Sequence, residues 1–254
     1  LLVMLIGSIN YSLGLGHVLT FLLAGLGAFV IKVENPSGGD TCRENAPYLG
    51  ADGASLVRRS ASDVSVSAIN RLRNKLGITL NLKHPRGNEI AKRIVEKCDV
   101  VTESYTPGTM SRLGIDYEAL RAVRPDIIMI SMPLFGQTGP WAPWMGYGHV
   151  LQAAAGFNHM TGWPDEPPIG AGTAYTDFLV PHFAAIALIA ALDHRRRTGE
   201  GQWIDMSTVE SGAALLGPTV LDFTVNGRPA RRAGMPASNR AHHPAMAPHG
   251  FHPA

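Results

Sequence analysis

The stretch Ile78-Thr79-Leu80-Asn81-Leu82, followed by Pro85 to Lys97, decides the fold. The first part alternates at the period of two that a pleated strand imposes, and the second switches to the spacing of a helix face. Pro85 stands where a helix opens, because its missing N–H would have no intrahelical partner in the first turn. A strand feeding directly into a helix is the repeating unit of a parallel α/β sheet. Each helix returns the chain across one face, so that the next strand runs in the same direction.

Working outward, the unit recurs. Cys98 to Glu103 reads as the next strand, and Pro107-Gly108 turns the chain into a short helix ending near Leu113-Gly114. Tyr117 to Val123 reads as a helix stopped by Arg124-Pro125, with Ile127 to Ser131 as the strand after it. Upstream, His17 to Gly25 reads as a helix and Ala28 to Glu34 as the buried strand it feeds. Residues 35–73 read as a long irregular excursion, with turn chemistry from Asn35 to Asp40 and a polar run from Ser60 to Ser67.

Phe135 to Trp141 is a loop bounded by glycine and proline just past a strand end, where open α/β sheets place their ligands. Val180 to Asp193 reads as a long apolar helix, closed by His194-Arg195-Arg196-Arg197 at its negative pole and by the turn Thr198-Gly199-Glu200-Gly201. Gln202 to Met206 reads as a strand, and Ser207 as the cap of a helix from about Val209. Beyond Asn226-Gly227 the periodicity decays into Arg, Pro and His. The expected fold class is α/β, a Rossmann-like open and mostly parallel sheet flanked by helices. Residues 1–224 are expected to form one large domain, and 225–254 a linker and the incomplete start of a second, smaller one.

Composition narrows the function. The 254 residues carry a formal net charge of +2, which lacks the electrostatic footprint of a duplex-nucleic-acid binder. Cys42 and Cys98 are far apart and outside any CxxC pair, so neither a disulfide scaffold nor a thiolate metal site is indicated, and a cytoplasmic setting is expected. Leu1 to Ile31 is apolar and uncharged before Lys32. It lacks the basic start of a signal peptide, and Asn10, Tyr11, His17 and several glycines interrupt it, so no membrane association is expected. The absence of an initiating Met and the ending in a Pro/His-rich stretch lead us to expect truncation at both ends.

Two local patterns offer other chemistry. Gly14-Leu15-Gly16 followed by Glu34 has the spacing of a dinucleotide fingerprint, but Leu19 stands in place of the third glycine, where a side chain obstructs the phosphate. His242, His243, His249 and His252 have the chemistry of zinc ligands, yet no Cys or carboxylate follows Asp222, and a solvated loop is the plainer reading. GxxxxGK[ST], HExxH and GxSxG do not occur.

Six segments then stand in a fixed order: Leu23 to Glu34 (LAGLGAFVIKVE), Asn74 to Lys83 (NKLGITLNLK), Glu103 to Gly108 (ESYTPG), Arg112 to Gly114 (RLG), Gly136 to Pro140 (GQTGP) and Arg197 to Gln202 (RTGEGQ). In that order the chain resembles the family III CoA-transferases, the group that includes formyl-CoA transferase and shares its fold with alpha-methylacyl-CoA racemase. The resemblance covers nearly the whole chain. Two positions depart from it: Leu15-Gly16-His17 replaces an Ala-Gly-Pro turn, and Pro36 stands where some members carry an Arg.

The resemblance implies transfer of CoA from an acyl-CoA donor to a carboxylic acid acceptor, by an interlocked homodimer with no permanently bound cofactor and no metal. It implies Asp177 as the catalytic carboxylate, which attacks the thioester and becomes acylated. Read from its place before the long helix, Asp177 is also a helix cap, held ionised by the helix dipole. CoA is expected along Asn74, Lys75, Ser104, Tyr105, Arg112 and Tyr147, with Lys75 and Arg112 meeting phosphates and Tyr105 packing on adenine. Backbone N–H groups near Gly136 or at the helix start are expected to stabilise oxyanions. Two alternatives stay open. A 2-methylacyl-CoA racemase would pair Asp177 with a His, but that position holds Tyr147, with His149 two residues on. A non-catalytic CoA-binding subunit would need neither.

Overall fold

The computed structural model describes residues 1–6, 14–37, 39–44, 48–49, 56–57, 65–163 and 165–230. The chain opens with β1 (Leu2–Ile6), α1 (Leu15–Gly25) and β2 (Phe29–Glu34). A 3-10 turn (Thr41–Glu44), a short antiparallel pair of β3 (Tyr48–Leu49) with β4 (Leu56–Val57), and α2 (Val66–Leu72) lead to β5 (Lys75–Thr79). Then come α3 (Pro85–Val95), β6 (Val100–Glu103), α4 (Thr109–Arg112), α5 (Tyr117–Val123) and β7 (Ile128–Ser131). The last stretch holds α6 (Gly148–Ala154), α7 (Phe157–Met160), α8 (Tyr175–Thr198), β8 (Trp203–Asp205), α9 (Thr208–Ala214) and α10 (Gly217–Asn226).

Six strands form one sheet in the order β5-β2-β1-β6-β7-β8, every neighbouring pair parallel. The chain works outward from β1 to β5, returns to β6, and works outward again on the other side. The reversal between β1 and β6 opens a crevice at the carboxyl ends of these strands, where α/β sheets bind ligands. Alternate residues of each strand feed two cores. Val3, Val30, Val100, Ile128 and Ile130 pack on one face with Leu19 and Leu23 of α1 and Val180, Ala184 and Leu188 of α8. Val33, Val101 and Met129 pack on the other with Ala91 and Val95 of α3, Met110 of α4 and Leu120 of α5.

The expected α/β class therefore holds, with corrections to its parts. β1 was not anticipated, although it lies at the centre of the sheet between β2 and β6. A strand covered on both faces reads as a plain apolar run, and nothing in that run separates it from the helix beside it. The strand expected from Ile78 to Leu82 instead spans Lys75–Thr79. The excursion read as irregular contains α2, whose start is fixed by Ser65 Oγ accepting from the Ala68 N–H at 3.3 Å.

The helix expected from Val180 begins at Tyr175 and runs to Thr198. Its end matches the RTGEGQ segment: Gly199 takes the left-handed conformation at φ 79° and its N–H bonds the Arg195 carbonyl at 2.8 Å. Arg195 answers more than the helix dipole, since its Nη2 lies 2.9 Å from Asp99 Oδ1 at the foot of β6. α8 is long and apolar enough to cross a membrane by length and composition, yet Val180, Ala184, Leu188 and Ala191 are buried against the sheet. α10 runs through residues 224 and 225 to Asn226, and the second unit expected beyond it lies, from residue 231 onward, outside the described residues, as do His242, His243, His249 and His252.

Candidate active site

Asp177 is the third residue of α8 and is 2% exposed. The cap position belongs to Ala174, which has no side-chain cap bond, so Asp177 is a first-turn residue and not the cap its sequence context suggested. Its Oδ2 is buried with no hydrogen-bond partner. Burial pushes the carboxyl up to about 6, opposed by the charges of His149 and Arg71. The expectation that the helix start alone holds it ionised is thus corrected: loss of water outweighs the favourable field of the first turn. Pro181, four residues on, has no N–H to offer the Asp177 carbonyl.

α6 forms the wall against this turn. Thr176 Oγ1 donates to the Gly148 carbonyl at 3.3 Å, and the Tyr175 N–H donates to Gln152 Oε1 at 3.1 Å. A Cβ built on Gly148 would stand 2.6 Å from both Asp177 carboxylate oxygens. Only glycine permits α6 to start this close to the carboxylate.

A cavity of about 350 Å³ is lined by Ser104, Tyr105, Pro133, Leu134, Trp144, Tyr147 and Val150 among others, and its lining includes neither Gly148 nor Asp177. Three of the residues expected to hold CoA, namely Ser104, Tyr105 and Tyr147, therefore share one cleft. Trp144 stacks on Trp141 with ring centres 5.6 Å apart, and Phe135 meets both rings edge-on, giving the cleft a firm aromatic flank. The Tyr105 N–H donates to Glu103 Oε2 at 2.7 Å, and burial raises the Tyr105 phenol to about 12.

The other expected contacts are elsewhere. Asn74 is the left-handed residue of the turn into β5, at φ 59°, a conformation Asn tolerates better than most side chains. Lys75 is half-buried and donates to the Arg71 carbonyl, and burial lowers its amine to about 8. Arg112 is exposed on α4, bonded to Thr109 Oγ1 at 2.8 Å, outside the lining of this cleft. The Gln137 N–H, next to Gly136, is taken by both carboxylate oxygens of Asp205 at 3.1 Å and is not directed to an oxyanion.

Sequence reasoning missed a buried ionic cluster at the carboxyl end of β2. Lys32 Nζ lies 2.6 Å from Asp40 Oδ2 and 2.9 Å from Glu34 Oε1, and Arg43 Nη2 lies 2.9 Å from the same Glu34 oxygen. His17 Nε2 is 2.7 Å from Asp40 Oδ2; burial lowers the His17 pKa, and against burial the hydrogen bond with His17 and the charge of Lys32 hold the Asp40 carboxyl far below the usual range. The available signal was a lysine inside an apolar strand, since a buried ammonium demands paired carboxylates. His17, Asp40 and Cys42 approach closely enough to hold a metal ion. The ammonium of Lys32 on the same Asp40 oxygen opposes one, and the three form part of an ion-pair network. Glu34, the acid of the dinucleotide spacing, is committed to Lys32 and Arg43, and Leu19 is fully buried in the core. That spacing is structural.

Comparison with known proteins gives a consistent result. The family model described as CoA-transferase family III matches residues 10–254. Succinate–glutarate CoA-transferase of Agrobacterium fabrum is 40% identical over 215 residues, covering 84% of this chain and 52% of that protein. Acetyl-CoA:oxalate CoA-transferase of Acetobacter aceti is 37% identical over 240 residues, covering 92% and 57%. A CAIB/BAIF family protein from Brucella suis has a crystal structure that superposes with a TM-score of 0.83 at 32% identity, covering 95% of this chain and 61% of that one. The chain thus spans about half the length of the curated relatives it matches.

Proposed function

The chain belongs to CoA-transferase family III, and from that premise we propose that it carries the acylated centre of an enzyme moving CoA from an acyl-CoA to a carboxylic acid, with Asp177 as nucleophile. The observation that carries this reading is the unpartnered Oδ2 of a carboxylate buried beside Gly148. A structural carboxylate would have its lone pairs matched, whereas a nucleophile needs one free.

The chemistry follows in steps that conserve the thioester. Ionised Asp177 attacks the thioester carbon, the C–S bond breaks, and CoA leaves as a thiolate from a mixed anhydride. The thiolate then attacks the aspartyl carbonyl of the anhydride, expelling the donor acid as a carboxylate and leaving an aspartyl-CoA thioester. The acceptor carboxylate attacks that thioester, and the sequence runs in reverse to release the new acyl-CoA and free Asp177. Ser104, Tyr105 and Tyr147 hold CoA in the cleft where they meet, with Tyr105 packing on the adenine.

The relatives named for succinate, glutarate and oxalate make small dicarboxylic acids the substrates to examine first. A homodimer in the cytoplasm completes the proposal. The exposed apolar side chains Phe178, Ile186 and Ile189 on α8 are consistent with a covered face in the assembly.

Trapping decides the central claim. After incubation with acyl-CoA, hydroxylamine should convert Asp177 to a hydroxamate seen by peptide mass spectrometry, and Asp177→Ala should lose both adduct and transfer. Full transfer by Asp177→Ala would end the assignment. A racemase would instead need His149, two residues past Tyr147, to face the substrate α-carbon opposite Asp177. Deuterium uptake at the α-carbon of a 2-methylacyl-CoA, without any acid acceptor, would favour it.

A further inference from the structure

Tyr147 and Val150, at the start of α6, line the cleft assigned to CoA, but Asp177 does not. Gly148 and Gln152 stand four residues apart on another face of the same short helix, and both meet the turn that carries Asp177. Gly148 does so through its carbonyl, which accepts from Thr176 Oγ1. Gln152 does so through its side chain, and the residue is 1% exposed.

The first turn of α8 lacks a side-chain cap of its own at Ala174, and its Tyr175 N–H has two acceptors: the Thr173 carbonyl at 2.9 Å and Gln152 Oε1 at 3.1 Å. The Thr173 bond belongs to an inverse γ-turn centred on Ala174 (φ −73°, ψ 76°), so it stays within one loop. Gln152 is the acceptor that ties this N–H to another element. Its amide is held in that sense: Nε2 donates to Asn158 Oδ1 at 3.0 Å, and a flipped amide would set N–H against N–H at Tyr175. Gly170 closes over the pair, since a Cβ there would stand 3.1 Å from Gln152 Nε2.

We propose that Gln152 is a positioning residue for transfer: it fastens the turn bearing Asp177 to α6, and so holds the carboxylate in register with an acyl-CoA seated in the cleft. The inference rests on the reading of Asp177 as the acylated residue, and it adds what joins that residue to the cleft. Asp177 Oδ2 has no hydrogen-bond partner, so its place follows the backbone beneath it. Without Gln152, that turn keeps the Thr176 bond to Gly148 and the edge-on contact of Tyr175 with Phe157, ring centres 5.5 Å apart. A small displacement of a reacting group costs a large factor in rate, while CoA itself meets the other face of α6.

Two variants of the full chain test this. Gln152→Met keeps the length of the side chain and offers Tyr175 no acceptor, whereas Gln152→Glu keeps the acceptor and, when protonated, also donates to Asn158. Three quantities are compared with wild type: kcat, CoA affinity by calorimetry, and amide hydrogen exchange at Tyr175. In Q152M, kcat should fall roughly 10- to 100-fold with CoA affinity unchanged, and Tyr175 should exchange faster. Q152E should recover most of kcat and restore slow exchange. A role in folding alone would give neither the split between kcat and affinity nor the rescue. Should Q152M fail to fold, Q152N, whose amide ends one methylene short of Tyr175, takes its place. Wild-type kcat in Q152M, a loss that Q152E shares in full, or a loss explained by weaker CoA binding overturns the proposal. Failure of the acylation reading shows separately, as full transfer by Asp177→Ala, and exchange at Tyr175 needs no turnover.

Discussion

The carboxylate of Asp177 rests against the backbone of Gly148, so closely that a Cβ there would lie 2.6 Å from both its oxygens and 2.4 Å from the Ala174 Cβ. Contacts this short force something to move, and what borders Gly148 is the reacting group and the helix turn that carries it. Gly148→Ala should therefore displace Asp177 by a fraction of an ångström or more, with transfer falling on the order of 100-fold. Overpacking should cost about 1–3 kcal/mol in urea denaturation. Wild-type kcat/KM in a folded G148A protein would show that the contact has no bearing on catalysis.

The pH dependence of transfer follows from burial. Asp177 is pushed up to about 6, and its nucleophilic form is the ionised one. The rate should thus climb as pH rises through about 6 and level off above it. Removing the Arg71 charge takes away one of the two groups that favour ionisation, so R71Q should move this limb to higher pH. A kcat/KM profile measured with one acyl-CoA for both proteins reads the shift. An unshifted or downward-moved limb would contradict the electrostatic link.

Glu103 joins the cleft to the sheet. Its Oε2 holds the Tyr105 N–H at 2.7 Å, and burial raises its carboxyl from 4.5 to about 7 against the hydrogen bonds from Ser131 and Tyr105. The folded protein therefore binds this proton more tightly than the unfolded chain. Stability from this group is full below about 4.5, declines as pH rises toward about 7, and stays lower above. Glu103→Gln keeps an acceptor for Tyr105 and cannot ionise. It should flatten that decline and exceed wild type at pH 8 by up to about 3 kcal/mol, a shift of this size converted by linkage. Parallel pH–stability curves from chemical denaturation would refute the assignment.

The local grammar of the fold was legible in the chain. Pro85 at a helix start, Arg124-Pro125 at a helix stop, Ser207 as a cap and the glycines after Thr198 act through neighbouring backbone, so their meaning survives without the rest of the molecule. The candidacy of Asp177 came from the family resemblance, and its local context suggested only a helix cap. The cleft residues Ser104 and Tyr105 were legible because one loop carries both, and Tyr147 joined them only by folding.

What the sequence determined by itself was the α/β class and the alternation of strand and helix from β5 to β8, because these depend on periodicity and on groups a few residues apart. Tertiary structure decided the rest. It made β1 the central strand, since burial on both faces removes the alternation that would have announced it. It gave Asn74 a backbone task, turned Lys75 onto the Arg71 carbonyl, and gathered Lys32, Glu34, Asp40, His17 and Arg43 into one ionic cluster. It also raised the Asp177 pKa to about 6, where the helix start alone would lower it. Desolvation and Coulomb energy depend on what surrounds a charge in space, and residues 148 and 177 become neighbours only when α6 has packed against α8.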